Sequence, residues 1–233
     1  MKSIIKMFRR KTVRCLFILA LGLLTPQIVT AQGTTTYLSN LGQSSAGSIA
    51  VGSDSWLAAS FVTGSNSGGY MLNSVQLAMT DASGNASGFE IMIYSAAGTL
   101  SVSPANNIST LNGSANPVSA GVYSYTPSAN LSLLAGTAYF IVLTDETPIA
   151  NGSYEWSYAG TFSYNPSGGW QAPAGVGAGE NYHSNDGSHW SLLGGPPQFA
   201  INATAAPEPG VMGLFALGGL LVALQRRKTR SVQ

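Results

Sequence analysis

Lysine and arginine are absent from the chain between Cys15 and Gln225. All ten basic residues lie outside this stretch and all nine Asp and Glu residues lie inside it, which gives the stretch a formal charge of −9. Nucleic acid and anionic membrane surfaces are poor partners for such a stretch, because both need a basic footprint. Schiff-base chemistry needs a lysine, and phosphate binding commonly uses lysine or arginine, so the stretch lacks the usual side chains for both.

Nucleophilic catalysis is disfavoured as well. The single cysteine, Cys15, falls in a segment that we expect to be removed, and no Gly-x-Ser-x-Gly elbow is present. A glycosidase needs only two carboxylates, and Glu90 and Glu155 lie beside aromatic residues on predicted strands. The alternative is that both are solvated carboxylates on the outer face of a sheet.

The N-terminal 31 residues have the pattern of a secretory signal peptide. A basic region reaches to Arg14, the apolar run 15–24 follows, and Val29 and Ala31 place small residues before a cleavage site. We predict cleavage between Ala31 and Gln32. The alternative, a permanent N-terminal anchor, would need a longer apolar run.

The C-terminal tail has three parts in a fixed order. Pro207-Glu208-Pro209 comes first, the apolar run 211–224 follows, and a basic cluster ends the tail with Arg226, Arg227, Lys228 and Arg230. As a helix the run would be roughly 21 Å long, against about 30 Å for a bilayer core. We predict a single transmembrane helix over residues 210–225 that anchors the protein in the membrane with its C-terminus inside. The alternative is a core helix that ends in solvated charge.

This order of parts resembles the PEP-CTERM sorting signal of Gram-negative bacteria, here over residues 206–230. The resemblance implies that an exosortase, an integral-membrane protease, recognises Pro207-Glu208-Pro209 and passes the protein on towards the cell surface. It also implies an association with exopolysaccharide.

Residues 32–205 are predicted to form one extracytoplasmic domain. Their composition is dominated by Gly, Ser, Asn, Thr and Ala, and short apolar runs alternate with turn residues. We therefore predict an all-β fold, an antiparallel β-sandwich or jelly roll. Residues 100–120 are predicted to be a surface loop. Strands are predicted at 56–63, 70–79, 89–95, 122–126, 137–144, 154–158, 188–192 and 198–203.

The domain also resembles the choice-of-anchor R family of surface domains. The resemblance rests on residues 38–43, 56–64, 70–77 and 134–139. It implies surface display of a β domain, and it carries no catalytic residue over to this chain.

His183, Asp186 and His189 suggest a metal site by composition. If Asp186-Gly187 is a two-residue hairpin turn, Ser184 pairs with His189 and the two histidines point to opposite faces. We therefore predict no transition-metal site and no resident cofactor. A calcium site built from Asp145, Glu146 or Asp186 with loop carbonyls stays open, although no EF-hand spacing is present.

Aromatic residues crowd between positions 154 and 190. Trp156, Trp170 and Trp190 are candidates for stacking on sugar rings, and Trp170 is expected to be exposed because it follows Gly168-Gly169 in a predicted loop. Packing of Trp156 and its neighbours in the core explains the row equally well.

Together these features predict a non-enzymatic, exported protein of the cell surface or extracellular matrix, associated with exopolysaccharide. It would be held in the inner membrane before sorting. The alternative is a secreted carbohydrate-active enzyme or a carbohydrate-binding module.

Overall fold

The computed structural model describes residues 33–97, 103–172 and 181–208, together with Gly218. The three ranges contain fourteen strands, and the paired strands all run antiparallel. The strands are β1 (Thr35–Ser39), β2 (Ser45–Val51), β3 (Trp56–Val62), β4 (Tyr70–Gly84), β5 (Glu90–Ala96), β6 (Pro104–Gly113), β7 (Gly121–Pro127), β8 (Leu131–Leu133), β9 (Ala138–Thr144), β10 (Gly152–Ala159), β11 (Asn165–Pro166), β12 (Asn181–Ser184), β13 (Ser191–Leu193) and β14 (Phe199–Ala205).

One continuous sheet connects these strands in the order β11-β1-β14-β4-β7-β6-β5-β9-β3-β12-β13. The 15-residue β4 is the branch point, because each of its edges changes partner along its length. One edge pairs first with β8 and then with β7, and the other pairs with β14 and then with β10. β2 is added on the far side of β10.

The sheet folds back on itself, so that strands far apart in its order face each other. Trp170 lies between Tyr37 of β1 and Phe61 of β3, with ring centroids 5.0 and 5.7 Å away and nearly parallel planes. The two centroid distances add up to about 10 Å, the usual separation of packed sheets. The main hydrophobic core fills the space between, with side chains from Tyr37 to Ala203.

β9 has apolar side chains buried on both of its faces. Tyr139, Ile141 and Leu143 enter the main core, whereas Phe140 and Val142 belong to a second cluster on the outer face. The strand lies between β5 and β3, the central position that suits a strand with apolar residues on both faces.

The all-β, antiparallel prediction is confirmed, and the architecture fits a β-sandwich. Each of the eight predicted strands overlaps an observed one. The surface-loop prediction for residues 100–120 is wrong, because β6 occupies Pro104–Gly113 and pairs with both β5 and β7. The sequence analysis also missed β1, β2, β8, β11 and β12.

The predictions for the two ends of the chain fall mostly outside the described residues. These are the signal peptide with Ala31 and Gln32, Pro209, the apolar run 211–224 and the basic cluster Arg226, Arg227, Lys228 and Arg230. Within the described ranges, no helix has the length and apolar character that a membrane span requires.

Candidate functional site: an aromatic sheet face

The second apolar cluster lies on the outer face of the layer formed by β5, β9, β3 and β12. Strand alternation places it there: Ala58 pairs with Val142, Val142 with Met92, and Tyr182 with Ala58, so these side chains share one side of the sheet. Half-buried aromatic rings pack around this buried centre. We call the surface the aromatic face, and it consists of Trp56, Ala58, Met92, Tyr94, Phe140, Val142, Tyr182 and Trp190.

The rings of the aromatic face are held at separate positions. Tyr182 meets Phe140 edge-on, with ring centroids 5.7 Å apart. Trp56 donates its indole N–H to Ser53 O at 3.1 Å. Burial raises the pKa of the Tyr94 phenol and the nearby Glu90 carboxylate raises it further, so the phenol stays neutral and able to donate.

The loop at residues 185–190 leads to Trp190 and packs against Trp56 through Gly187. Gly187 lies against the Trp56 ring in a left-handed conformation (φ 73°), and a Cβ there would be only 3.0 Å from Trp56 Cε3. Asp186 Oδ1 accepts the backbone N–H groups of Ser188 and His189 at 2.8 and 2.9 Å. The Asp186 side chain therefore closes the loop by hydrogen bonds to its backbone.

The predicted hairpin register is wrong by one residue. His183 pairs with Ser191 and Tyr182 with Leu192, so the connection is longer than a two-residue Asp186-Gly187 turn. The physical reason is the side-chain capping: Ser184 Oγ accepts the N–H groups of Asp186 and Gly187, which replaces the cross-strand bonds of a tight turn.

No cluster of three metal-ligating side chains occurs among residues 33–97, 103–172 and 181–208. The exposed His189 ring lies 2.7 Å from Asp186 Oδ2, whereas His183 is half-buried on β12. Hydrogen bonds from His189 hold the pKa of the Asp186 carboxyl well below its usual value. The His189–Asp186 pair therefore stabilises the 185–190 loop.

Two of the three tryptophans predicted to stack on sugars lie in the core. Trp156 is 0 % exposed and donates its indole N–H to Gln198 O. Trp170 is 1 % exposed, so the prediction of an exposed ring is wrong: its loop folds inward between β1 and β3. Trp190 alone of the three lies on the aromatic face.

Trp56, Tyr94 and Tyr182 are candidate ligand contacts that the sequence analysis missed. They occupy the positions of β3, β5 and β12 that alternate with core residues. In a strand with one buried face, alternation predicts polar residues at these positions. The aromatic residues found there were the signal in the sequence that could have identified the face.

The two carboxylates considered for glycosidase chemistry have separate surroundings. Glu90 accepts from Thr110 Oγ1 at 3.3 Å, whereas Glu155 on β10 accepts from Ser48 and Ser153 hydroxyls at 2.8 Å. Their strands are not paired with each other, and within the described ranges they share no hydrogen-bond partner.

Asp145, directly after β9, is a buried carboxylate with no basic partner among the described residues. It is 5 % exposed, its Oδ1 accepts the Thr147 N–H at 2.8 Å, and its Oδ2 has no partner among the described residues. Burial raises the pKa of Asp145 to about 6. Backbone hydrogen bonds lower this pKa, and the carboxylates of Asp54 and Glu146 raise it further. Tyr154 of β10 faces the same group, and burial raises its own pKa.

We expect the domain to become less stable as pH rises from 4 to 7. Folded Asp145 keeps its proton up to about pH 6, whereas the unfolded chain releases it near 3.8, so the folded state binds more protons in this window. The free energy of unfolding therefore falls with rising pH, by on the order of 2 kcal/mol for this group. Urea unfolding of residues 32–208 at several pH values measures it.

Asp145→Asn is the matched variant, because it removes the charge and keeps the shape. Its unfolding free energy should exceed that of the wild type at pH 8 and depend less on pH between 4 and 7. Identical pH profiles for the two proteins would contradict the assignment.

No protein-family model matches the chain, and no curated protein matches it in sequence. Among solved structures, the chain is similar to the cysteine protease and lectin-like domains of Cwp84, a surface layer associated protein of Clostridium difficile. The likeness has a TM-score of 0.48 at 16 % identity and covers 74 % of this chain. Only 36 % of the Cwp84 chain is covered, and a likeness this weak assigns neither activity nor ligand.

Proposed function

We propose that this chain is a non-enzymatic, exported β-domain protein that is displayed at the cell surface or in the extracellular matrix. The N-terminal segment would direct export. The PEP-CTERM-like tail would hold the protein in the inner membrane until an exosortase acts on it. An association with exopolysaccharide at the surface completes the proposal.

The observation that carries the proposal is the way the chain leaves the domain. After β14 ends at Ala205, Ala206 is still bonded to the domain: its N–H donates to Gly69 O and its carbonyl accepts from Asn66 Nδ2, both at 2.9 Å. Pro207 and Glu208 follow directly and are exposed. A protease could therefore reach Pro207 and Glu208 without unfolding the domain.

The non-enzymatic part of the proposal has its own support. The carboxylates of Glu90 and Glu155 are held by different hydroxyl groups and lack a common partner in the described ranges. This does not favour the alternative of a carbohydrate-active enzyme. A hydrolysis assay on residues 32–208 tests the non-enzymatic proposal. Glycan hydrolysis that Glu90→Gln or Glu155→Gln abolishes would support the enzyme alternative instead.

We expect replacement of Pro207-Glu208-Pro209 by alanines to leave export intact and to block sorting. Export depends on the N-terminal signal, whereas the resemblance assigns protease recognition to the tripeptide. The full-length chain should then accumulate in the inner-membrane fraction at its uncleaved mass. Fractionation and mass spectrometry in the native host measure both quantities.

The matched control is Ser128→Ala with Asn130→Ala, at exposed turn positions of the same domain. This control should be sorted and processed like the wild type. Normal surface delivery of the tripeptide variant, at the mature mass, would refute the sorting function.

A further inference from the structure

The outer side of the β5-β9-β3-β12 layer carries aromatic rings where the outer face of an antiparallel sheet usually carries polar side chains. A complete cross-strand row runs through it, from Leu192 through Tyr182, Ala58, Val142 and Met92 to Thr110. At one end of the row Leu192 is 61 % exposed, so the surface opens to solvent there. At the other end it meets the hydroxyl of Thr110 and the carboxylate of Glu90, which are 3.3 Å apart.

We propose that the aromatic face binds an extended, neutral polysaccharide chain. The apolar C–H faces of sugar rings would stack on Trp56, Tyr94 and Trp190, as carbohydrate C–H groups do on aromatic π-faces. Sugar hydroxyls would donate to the Glu90 carboxylate, and the neutral Tyr94 phenol would donate to sugar oxygens.

Charge selects the class of ligand. No lysine or arginine occurs between residues 15 and 225, so an acidic polymer would find no charge-assisted partner here. Glu90 on the face and Asp186 in the adjoining loop would repel it further. The same negative charge opposes close packing of a second copy of the chain, whereas an uncharged polymer pays no such penalty.

The spacing of the rings requires a ligand longer than one sugar. Tyr94 on β5 and Tyr182 on β12 are separated by three strand spacings, about 14 Å across the sheet. A single sugar ring can contact only one end of this surface, so affinity should increase with the length of the oligosaccharide. Weak contacts at several rings add up along one polymer.

The inference deepens the proposed association with exopolysaccharide by naming the surface and the ligand class. It can fail separately from the sorting function, because binding is measured on purified protein and sorting is measured in cells. Residues 32–208 suit the purified assay, since the hydrophobic core draws on residues 37–203.

The test is isothermal titration of residues 32–208 with neutral gluco-, manno- and galacto-oligosaccharides from disaccharide to hexasaccharide, at low and high salt. Alginate and chitosan serve as the anionic and cationic polymers. We expect at least one neutral series to bind, with affinity that rises with length and is unchanged by salt. Trp190→Ala and Tyr94→Ala should each weaken binding roughly two- to tenfold, the size of one stacking contact.

Phe162→Ala is the matched control, because Phe162 is an exposed aromatic residue (55 %) outside the aromatic face. It should bind like the wild type, and circular dichroism should show all variants folded. A second readout is tryptophan fluorescence: Trp156 and Trp170 are buried, so direct contact with a ligand would change the emission of Trp56 or Trp190, and Trp190→Ala should reduce the change.

Three results would overturn the proposal. One is the absence of binding to every neutral series, and another is binding that Trp190→Ala and Tyr94→Ala leave unchanged. The third is a preference for alginate or chitosan that high salt abolishes. A dimer in light scattering that Trp190→Ala dissociates, without glycan binding, would assign the face to self-association instead.

Discussion

Trp170→Ala should destabilise the domain by about 3–5 kcal/mol, the usual cost of removing a large aromatic side chain from a core. Trp170 stacks between Tyr37 and Phe61 and meets Tyr70 edge-on, with ring centroids 5.0 Å apart. Alanine would leave a cavity where the two ends of the sheet face each other. Urea unfolding of residues 32–208, followed by circular dichroism, measures the loss.

Two further variants separate packing from other effects. Trp170→Phe should lose much less stability, because it keeps a stacked ring and removes an indole N–H that has no partner among the described residues. Phe162→Ala, at an exposed aromatic residue, should change stability by no more than about 0.5 kcal/mol. If Trp170→Ala unfolds at the wild-type midpoint, the ring does not hold the layers together.

The strands that the sequence predicted most clearly are those with several buried apolar residues, whereas β6, which buries few side chains, was missed. β3, β5 and β9 carry apolar residues with a clear strand pattern, and all three were found. β6 has only Pro104 and Leu111 buried, so its apolar alternation is absent. Backbone hydrogen bonds to β5 and β7 hold such a strand, and a pattern of side chains cannot reveal them.

Trp170 shows a different limit of sequence reasoning. Gly168 and Gly169 both adopt positive φ, so the expected turn is present. The sequence could not predict that this turn docks on the sheet, with Ser167 N–H bonded to Tyr37 O and Gln171 paired with Val62. These contacts span more than a hundred residues, and tertiary packing decides them.

The sequence predicted the aromatic face only in part. Trp190 was a candidate from composition, but Trp56, Tyr94 and Tyr182 lie far apart in the chain. Only the pairings of β12 with β3, β3 with β9 and β9 with β5 bring them to one surface. Strand order, which the sequence did not reveal, therefore determines the candidate site.

The segment that carries Trp170 also passes Gly64 at a distance that excludes any side chain. A Cβ at Gly64 would overlap the carbonyl oxygen of Gly168 and lie 2.5 Å from Tyr70 Oη. The carbonyl belongs to the backbone and cannot rotate away, so the 165–171 segment would have to shift from β3.

Gly64→Ala should therefore destabilise the domain by about 2–3 kcal/mol, in the upper range for overpacking. It should also expose the Trp170 indole, which acrylamide quenching of fluorescence would report. Gly42→Ala is the matched control, since a Cβ there has no atom within 4 Å, and it should unfold like the wild type. Because Gly64 and Trp170 act on the same contact, the double variant Gly64→Ala with Trp170→Ala should lose less stability than the two single losses added together. Additive losses would mean that the glycine and the tryptophan stabilise separate parts of the fold.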